Sequence, residues 1–253
     1  MKVAVVGGTG VLGAPVAKAL AARGDEVLAL SREPQPGLAE AASHRRINLT
    51  TGEGIADALA GVEAVVNAAN AGPRNAAPVL VEGTQRLLRA EAAAGVRHHV
   101  DVSIVGCDRV PTRYYGVKVA QEKAVAAGDV PWSLLRATQF HSLLAWAFES
   151  AARWRLSPRG SARLQPVDPT VVAERLAEAV HAAPGGRIPD VAGPEVLTLS
   201  ELARTWSAAK RRTLVPLPIP MVGRTGRPLR EAALCNPAAA SGGPTFEQWL
   251  AGE

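Results

Sequence analysis

Tyr114 and Lys118 stand four residues apart in the stretch Thr112-Arg113-Tyr114-Tyr115-Gly116-Val117-Lys118. On a helix, that spacing puts both side chains on one face. A free tyrosine, with a pKa of about 10, is a poor acid–base group near neutrality. A neighbouring ammonium favours the phenolate and brings that pKa down. A tyrosine tuned this way can protonate the oxygen of a carbonyl while hydride arrives at its carbon. Tyr115 is rotated from Tyr114 by about 100° on the same helix and does not share the face of Lys118. Ser103 stands upstream at the end of an apolar run, and its hydroxyl can hydrogen-bond the same carbonyl oxygen. A Tyr-x-x-x-Lys pair alone is more often a surface pair than a catalytic one. Its place after a strand that ends in serine favours the catalytic reading of Ser103, Tyr114 and Lys118.

A second constellation binds instead of reacting. Gly7-Gly8-Thr9-Gly10-Val11-Leu12-Gly13 follows the β-branched run Lys2 to Val6 and opens a helical pattern. Glycines permit a tight turn and let the backbone approach a pyrophosphate. The helix start adds free N–H groups and a partial positive charge. At the end of the next strand, about 20 residues on, an NAD binder usually carries Asp or Glu for the ribose hydroxyls. This chain has Ser31-Arg32 there, and a hydroxyl with a guanidinium suits a 2′-phosphate. Glu33 follows at once and can turn inward. The expected cofactor is NADP(H), without a metal.

These groups need a scaffold, and the first half of the chain supplies the pattern for one. Strands are expected at Lys2–Val6, Glu26–Leu30, Arg46–Leu49, Glu63–Ala68, His98–Ser103 and Trp132–Arg136. Helices are expected at Val11–Ala22, Gly54–Ala60, Pro78–Ala94 and Thr112–Ala127, most of them stopped by glycine. Continuous apolar strands alternating with helices indicate a parallel sheet covered on both faces. The fold class is α/β, a doubly wound Rossmann sheet. In such sheets the carboxyl ends of the strands face the ligand, which is where Ser103 stands. Beyond about Ala137 the rhythm loosens. Helical patterns at Phe140–Trp154, Thr170–Ala182 and Ser200–Lys210 are separated by Pro- and Gly-rich loops. The expectation is a single domain over 1–253, with 138–253 contributing a small helical substrate cap.

Bulk properties agree with one globular domain. The chain has 253 residues, 47% of them hydrophobic and 20% charged. Aromatics are only 4%, so the core must rest on Ala, Val and Leu. The formal charge of +5 comes from scattered arginines, and the nearest basic run is Lys210-Arg211-Arg212. A nucleic-acid partner is therefore not expected, and a small polyanion such as a dinucleotide fits the excess. Cys107 and Cys235 show neither metal spacing nor a disulfide framework, and the expected compartment is the cytoplasm. No apolar stretch approaches the roughly 20 residues of a membrane span, and the N-terminal run is broken by glycine. The oligomeric state is not legible from these features.

Taken in order, Gly7-x-x-Gly10-x-x-Gly13, Ser103 and Tyr114-x-x-x-Lys118 resemble the short-chain dehydrogenase/reductase superfamily. The single-domain size, Ser31-Arg32 and two later segments look like its atypical, NmrA-like NAD(P)-binding branch. Those segments are Arg136-Ala137-Thr138-Gln139-Phe140-His141 and Ala192-Gly193-Pro194-Glu195-Val196-Leu197-Thr198. The resemblance implies that Ser103, Tyr114 and Lys118 are the catalytic set and that Lys118 also holds the nicotinamide ribose. It implies that Gln139, Phe140 and His141 border the nicotinamide and substrate, although a histidine at a helix start is more often structural. Asn48-Leu49 stands where an adenine-contacting Asp is common, and Asn can still pair with an adenine edge. Ala68, Ala69 and Asn70, with Asn67 before them, are implied near the ribose, mainly through backbone. Leu80 stands near a position where relatives often place an Asn that supports a proton relay.

The favoured reading is an NADPH-dependent reductase acting on a ketone or quinone-like carbonyl of a small molecule. A non-catalytic NADP(H)-sensing regulator is the alternative, and the complete Ser, Tyr and Lys set argues for chemistry. A sugar-nucleotide epimerase or dehydratase usually carries a larger C-terminal region. Leu143, Trp146, Phe148 and Trp154 recur after His141 at helical spacing. Such residues are more often core than pocket, but any that reach a ligand favour a bulky apolar one.

Overall fold

The computed structural model describes residues 1–34 and 42–252. The chain begins with β1 (Lys2–Val6), α1 (Gly13–Ala22), β2 (Glu26–Ser31), β3 (Ala42–Arg46), α2 (Ile55–Ala58) and β4 (Ala64–Asn67). A π-helical turn (Ala77–Glu82) leads into α3 (Gly83–Ala94), β5 (His98–Ile104), α4 (Arg113–Ala126) and β6 (Trp132–Ala137). Next come α5 (His141–Ala152), β7 (Leu156–Arg159), β8 (Arg163–Leu164), α6 (Pro169–His181) and β9 (Gly186–Arg187). The chain closes with β10 (Leu197–Thr198), α7 (Leu199–Ala209), β11 (Val215–Pro218), α8 (Gly223–Arg230) and α9 (Phe246–Ala251). No helix among the described residues is long and apolar enough to cross a membrane.

Two compact units emerge. The first comprises 1–103, 116–135 and 172–188. Its parallel sheet has the order β3-β2-β1-β4-β5-β6-β9. Val3 to Val6 and Ala64 to Asn67 are buried throughout, as befits central strands covered on both faces. A core cluster including Val6, Leu30, Leu59, Val65 and Leu87 lies against the sheet. The strand order reverses at β1 and β4, the switch point where ligands bind in open α/β sheets.

Three elements differ from the sequence pattern. The third strand is Ala42–Arg46, ahead of the expected Arg46–Leu49. Among the described residues it is an edge strand paired with β2 alone, so it has no need of a continuous apolar run. The expected helix from Pro78 to Ala94 winds its first turn as a π-helix, in which Gly83 N–H reaches the Pro78 carbonyl. A Cβ on Gly83 would stand 2.9 Å from the Leu49 Cβ, so α3 can start there only on glycine. The two-residue β9 pairs with Ser133 and Leu134 and is too short for any periodic signal.

The second unit comprises 104–115, 136–171 and 189–253. Most of α6, from 172 to 181, lies in the first unit, and the second contains strands as well as helices. β11 pairs parallel with β7, and β10 pairs antiparallel with β8. Its core joins α5, α7 and α9 through Leu144, Phe148, Leu202, Trp206, Phe246 and Leu250. Thr198 and Glu201 close a capping box at the start of α7.

The 136–141 and 192–198 segments meet inside this unit. Thr138 N–H donates to the Val191 carbonyl (3.0 Å), and Gly193 N–H donates to Thr138 Oγ1 (3.2 Å). Gln165 Nε2 donates to the Gly193 carbonyl (2.7 Å). A side chain on Gly193 would fall on the carbonyl oxygen of Pro166. Gly193→Ala is expected to destabilise the protein by about 3 kcal/mol through forced backbone displacement. Gly116→Ala, where a Cβ meets nothing within 4 Å, should instead stabilise α4 by roughly 0.5–1 kcal/mol. Thermal melts of the two variants, one lowered and one raised, check the pair.

Candidate active site

The glycine loop joins β1 to α1 by direct backbone contact. Gly7 N–H and Gly8 N–H both donate to the Leu30 carbonyl, at 2.8 and 3.3 Å, and Gly10 N–H donates to the Gly7 carbonyl at 2.8 Å. Gly7 has φ +74°, in the left-handed region that side chains disfavour. A Cβ there would also stand 2.9 Å from the Ala69 Cα, and one on Gly13 would fall on the Gly7 carbonyl oxygen. α1 therefore begins packed against its own loop. Its N-cap is Leu12, without a side-chain cap, and its first turn holds no acidic residue. That leaves a positive helix end, although Ala14 N–H already donates to the Gly10 carbonyl (3.0 Å) and Pro15 carries no N–H. This cradle, which a side chain would fill, fits the pyrophosphate of a dinucleotide.

At the end of β2, the Ser31 hydroxyl donates to the Glu33 carbonyl (2.6 Å) and lies 2.9 Å from His44 Nε2. Arg32 is exposed. His44, on β3, was invisible in the sequence because the register of β2 on β3 is what brings it there. Asn48 Oδ1 accepts from Thr50 N–H (2.9 Å), so this side chain shapes the turn, and Leu49 is buried. Ala68 N–H donates to the Val6 carbonyl. Asn67 is buried, with Nδ2 donating to Thr84 Oγ1 (3.3 Å) and Oδ1 accepting from Ala69 N–H (3.3 Å). Asn70 is exposed and its Oδ1 accepts from Ala71 N–H. Leu80 is buried in the π-helical turn.

Ser103 is buried near the carboxyl end of β5. Lys118 reaches the same strand end: its Nζ donates to the carbonyl of Val102 at 2.9 Å and to Gln121 Oε1 at 2.6 Å. Tyr114 is half-buried, one helical turn before Lys118 on α4. Its ring centroid is 6.0 Å from that of Tyr115, with the planes tilted by 57°. Tyr115 packs with Val110, Ala233 and Leu234 of the second unit, and its N–H donates to Thr112 Oγ1. Burial, then the charges of Tyr114 and Cys107, push its phenol up to about 12. A phenol so placed is a packing group and a poor acid–base catalyst near neutrality.

Gln139 is committed at both ends of its amide. Nε2 donates to the Leu234 carbonyl (3.0 Å), and Oε1 accepts from Gln165 N–H (3.1 Å). His141 is fully buried, stacked on Phe246 and Trp249 with centroids at 5.7 and 5.6 Å. Its Nε2 lies 3.1 Å from the Pro244 carbonyl, and burial holds its pKa below the ordinary histidine value. The structure thus gives Gln139 and His141 bracing roles within the second unit. Phe140, at the N-cap of α5, is half-buried. Phe148 belongs to the core, whereas Leu143, Trp146 and Trp154 are 52%, 67% and 80% exposed.

Residues 7–181 match the profile of the NAD(P)H-binding family. This chain belongs to that family. No curated protein sequence matches it. The fold of this NAD(P)H-binding protein recurs in solved structures at low identity. The Escherichia coli NADPH-dependent quinone oxidoreductase QOR2, in complex with NADPH, aligns with a TM-score of 0.80 and 17% identity over 99% of both chains. A Staphylococcus aureus nucleoside-diphosphate-sugar epimerase aligns at 0.78 and 16% identity, again over 99% of both chains. A Thermus thermophilus UDP-glucose 4-epimerase complexed with NAD aligns at 0.73 and 22% identity, over 89% of this chain and 88% of that one. The profile begins at Gly7, the first residue of the cradle described above.

The chain contains two tyrosines, so its alkaline titration is simple to read. The tyrosinate absorbance of the folded NAD(P)H-binding protein should show a step near pH 12 from Tyr115. Tyr115→Phe should remove that step, and persistence of the step in this variant would overturn its assignment to Tyr115.

Proposed function

We propose that the protein is an NADPH-dependent oxidoreductase that transfers hydride to a ketone or quinone-like carbonyl of a bulky apolar small molecule in the cytoplasm. The observation that carries this reading is the Lys118 ammonium, held at the end of β5 one helical turn from Tyr114. The bound dinucleotide supplies the hydride. Tyr114 donates its phenolic proton to the carbonyl oxygen, and Lys118 stabilises the phenolate left behind. Ser103 hydrogen-bonds the same oxygen and orients it. Lys118 also takes the nicotinamide ribose. Gly7 to Gly13 hold the pyrophosphate, and Ser31 with Arg32 takes the 2′-phosphate. Asn48, Leu49 and the backbone of Ala68 to Asn70 border the adenosine.

For substrate contact we assign Phe140, because Gln139 and His141 are already engaged in bracing contacts. QOR2, which shares the fold, is an NADPH-dependent quinone oxidoreductase, and this supports a quinone-like carbonyl. Retention of both Tyr114 and Lys118 favours chemistry over a purely sensing role.

Two measurements test this. Tyr114→Phe should lower turnover of NADPH on a panel of quinones and ketones by about 100-fold or more, with NADPH affinity little changed. Parent-like turnover by this variant removes Tyr114 as the acid. Arg32→Ala should weaken NADPH by about tenfold, the scale of a lost charge-assisted hydrogen bond, while leaving NADH nearly unaffected. Equal weakening of both would remove the basis for assigning NADP(H). A parent protein that binds NADPH tightly but reduces nothing on the panel would favour the sensor.

A further inference from the structure

Strand β5 carries polar side chains into the interior of the first unit. His99 and Asp101 stand two residues apart, hence on one face of the strand, and both are fully buried. His99 Nδ1 lies 2.9 and 3.0 Å from the two carboxylate oxygens of Glu91 on α3, which is also buried. Asp101 Oδ1 accepts from Gln121 Nε2 at 3.2 Å, and Gln121 Oε1 accepts from Lys118 Nζ at 2.6 Å. Among the described residues, His99 Nε2 and Asp101 Oδ2 have no hydrogen-bond partner. Glu91, His99, Asp101 and Lys118 thus bring four ionisable groups into one buried region. Burying ions costs several kcal/mol each unless they are well paired, and binding a dinucleotide does not require it. An expensive interior of this kind marks a functional role.

Burial raises the Asp101 carboxyl above the usual carboxylate range, opposed first by Lys118 and then by His99. Glu122 on α4 adds to the rise. For His99 burial acts downward, but the Glu91 charge and hydrogen bond, with help from Asp101, bring it up overall. The orientation of Gln121 follows from these neighbours. A side-chain amide has one donor end and one acceptor end. The Asp101 oxygen holds the donor end, so the acceptor end must face Lys118. The reversed amide would set an NH2 group against an ammonium.

We propose that Asp101, acting through Gln121, is a positioning residue that fixes the Lys118 ammonium and so sets its influence on Tyr114. The inference rests on the Tyr114–Lys118 reading above. An ammonium that loses a buried acceptor becomes harder to keep charged, and a neutral lysine no longer favours the phenolate. The readout is therefore the ionisation of Tyr114 itself, which needs no substrate. With Tyr115→Phe as the parent background, Tyr114 is the single phenol of the chain.

Lys118→Met in that background should raise the half-ionisation pH of Tyr114 by about one unit or more, the scale of a lost neighbouring charge. Gln121→Met and Asp101→Leu should move it in the same direction. Asp101→Asn, which keeps an oxygen for Gln121, should stay near the parent. A cooperative thermal transition establishes folding for each variant. If Asp101→Leu does not fold, Gln121→Met and Asp101→Asn decide the question. A shift in Lys118→Met with none in Gln121→Met overturns this inference and leaves the proposed chemistry intact. No shift in Lys118→Met overturns both. The expected shifts in a protein that reduces nothing on the panel would uphold the positioning role and reject the proposed activity.

Discussion

The first unit depends on a contact between two pieces of backbone. The start of α1 packs directly on the carbonyl of Gly7, with no side chain between them. Gly7 must also bend into the left-handed region and pass close to Ala68 and Ala69 beyond β4. These requirements lock the loop between the two central strands, and hydrogen bonds to Leu30 tie it to β2. The same packing that positions α1 sets its positive N-terminal end against the glycine loop, so stability and the proposed binding share one constraint.

The second constraint is the polarity of β5. A central strand of a parallel sheet is ordinarily a run of apolar residues. This one reads His98-His99-Val100-Asp101-Val102-Ser103-Ile104, and its polar side chains find specific partners. His98 Nε2 lies 2.9 Å from Ser133 Oγ on β6, while His99 meets Glu91 on α3. Asp101 meets Gln121 on α4. α3 and α4 thus each carry a polar group that meets this strand. Lys118, bonded to the Val102 carbonyl and to Gln121, belongs to this interior network.

Much of this was legible in the chain itself. Spacing favoured Tyr114 over Tyr115 only slightly, because residues three apart on a helix are neighbours as well as residues four apart. The burial that makes Tyr115 a packing group comes from residues 233 and 234, far away in the sequence. The 139–141 stretch was expected to face a substrate, but two of its three side chains are occupied by Leu234, Gln165, Pro244, Phe246 and Trp249. Nothing local signals such partners. The third strand was displaced for a related reason: edge pairing with β2 replaces the apolar run that a sequence pattern relies on.

By itself the sequence determined the alternation of strands and helices, the glycine cradle and the four-residue spacing of Tyr114 and Lys118. All three arise from backbone geometry and side-chain periodicity within a few residues. Only the tertiary structure decided which groups surround Lys118, that His44 meets Ser31, and that Gln139 and His141 serve as braces. Those outcomes depend on partners 13 to 103 residues away for the paired side chains and carbonyls of His44, Gln139 and His141. Register and packing, which no local pattern encodes, choose those partners.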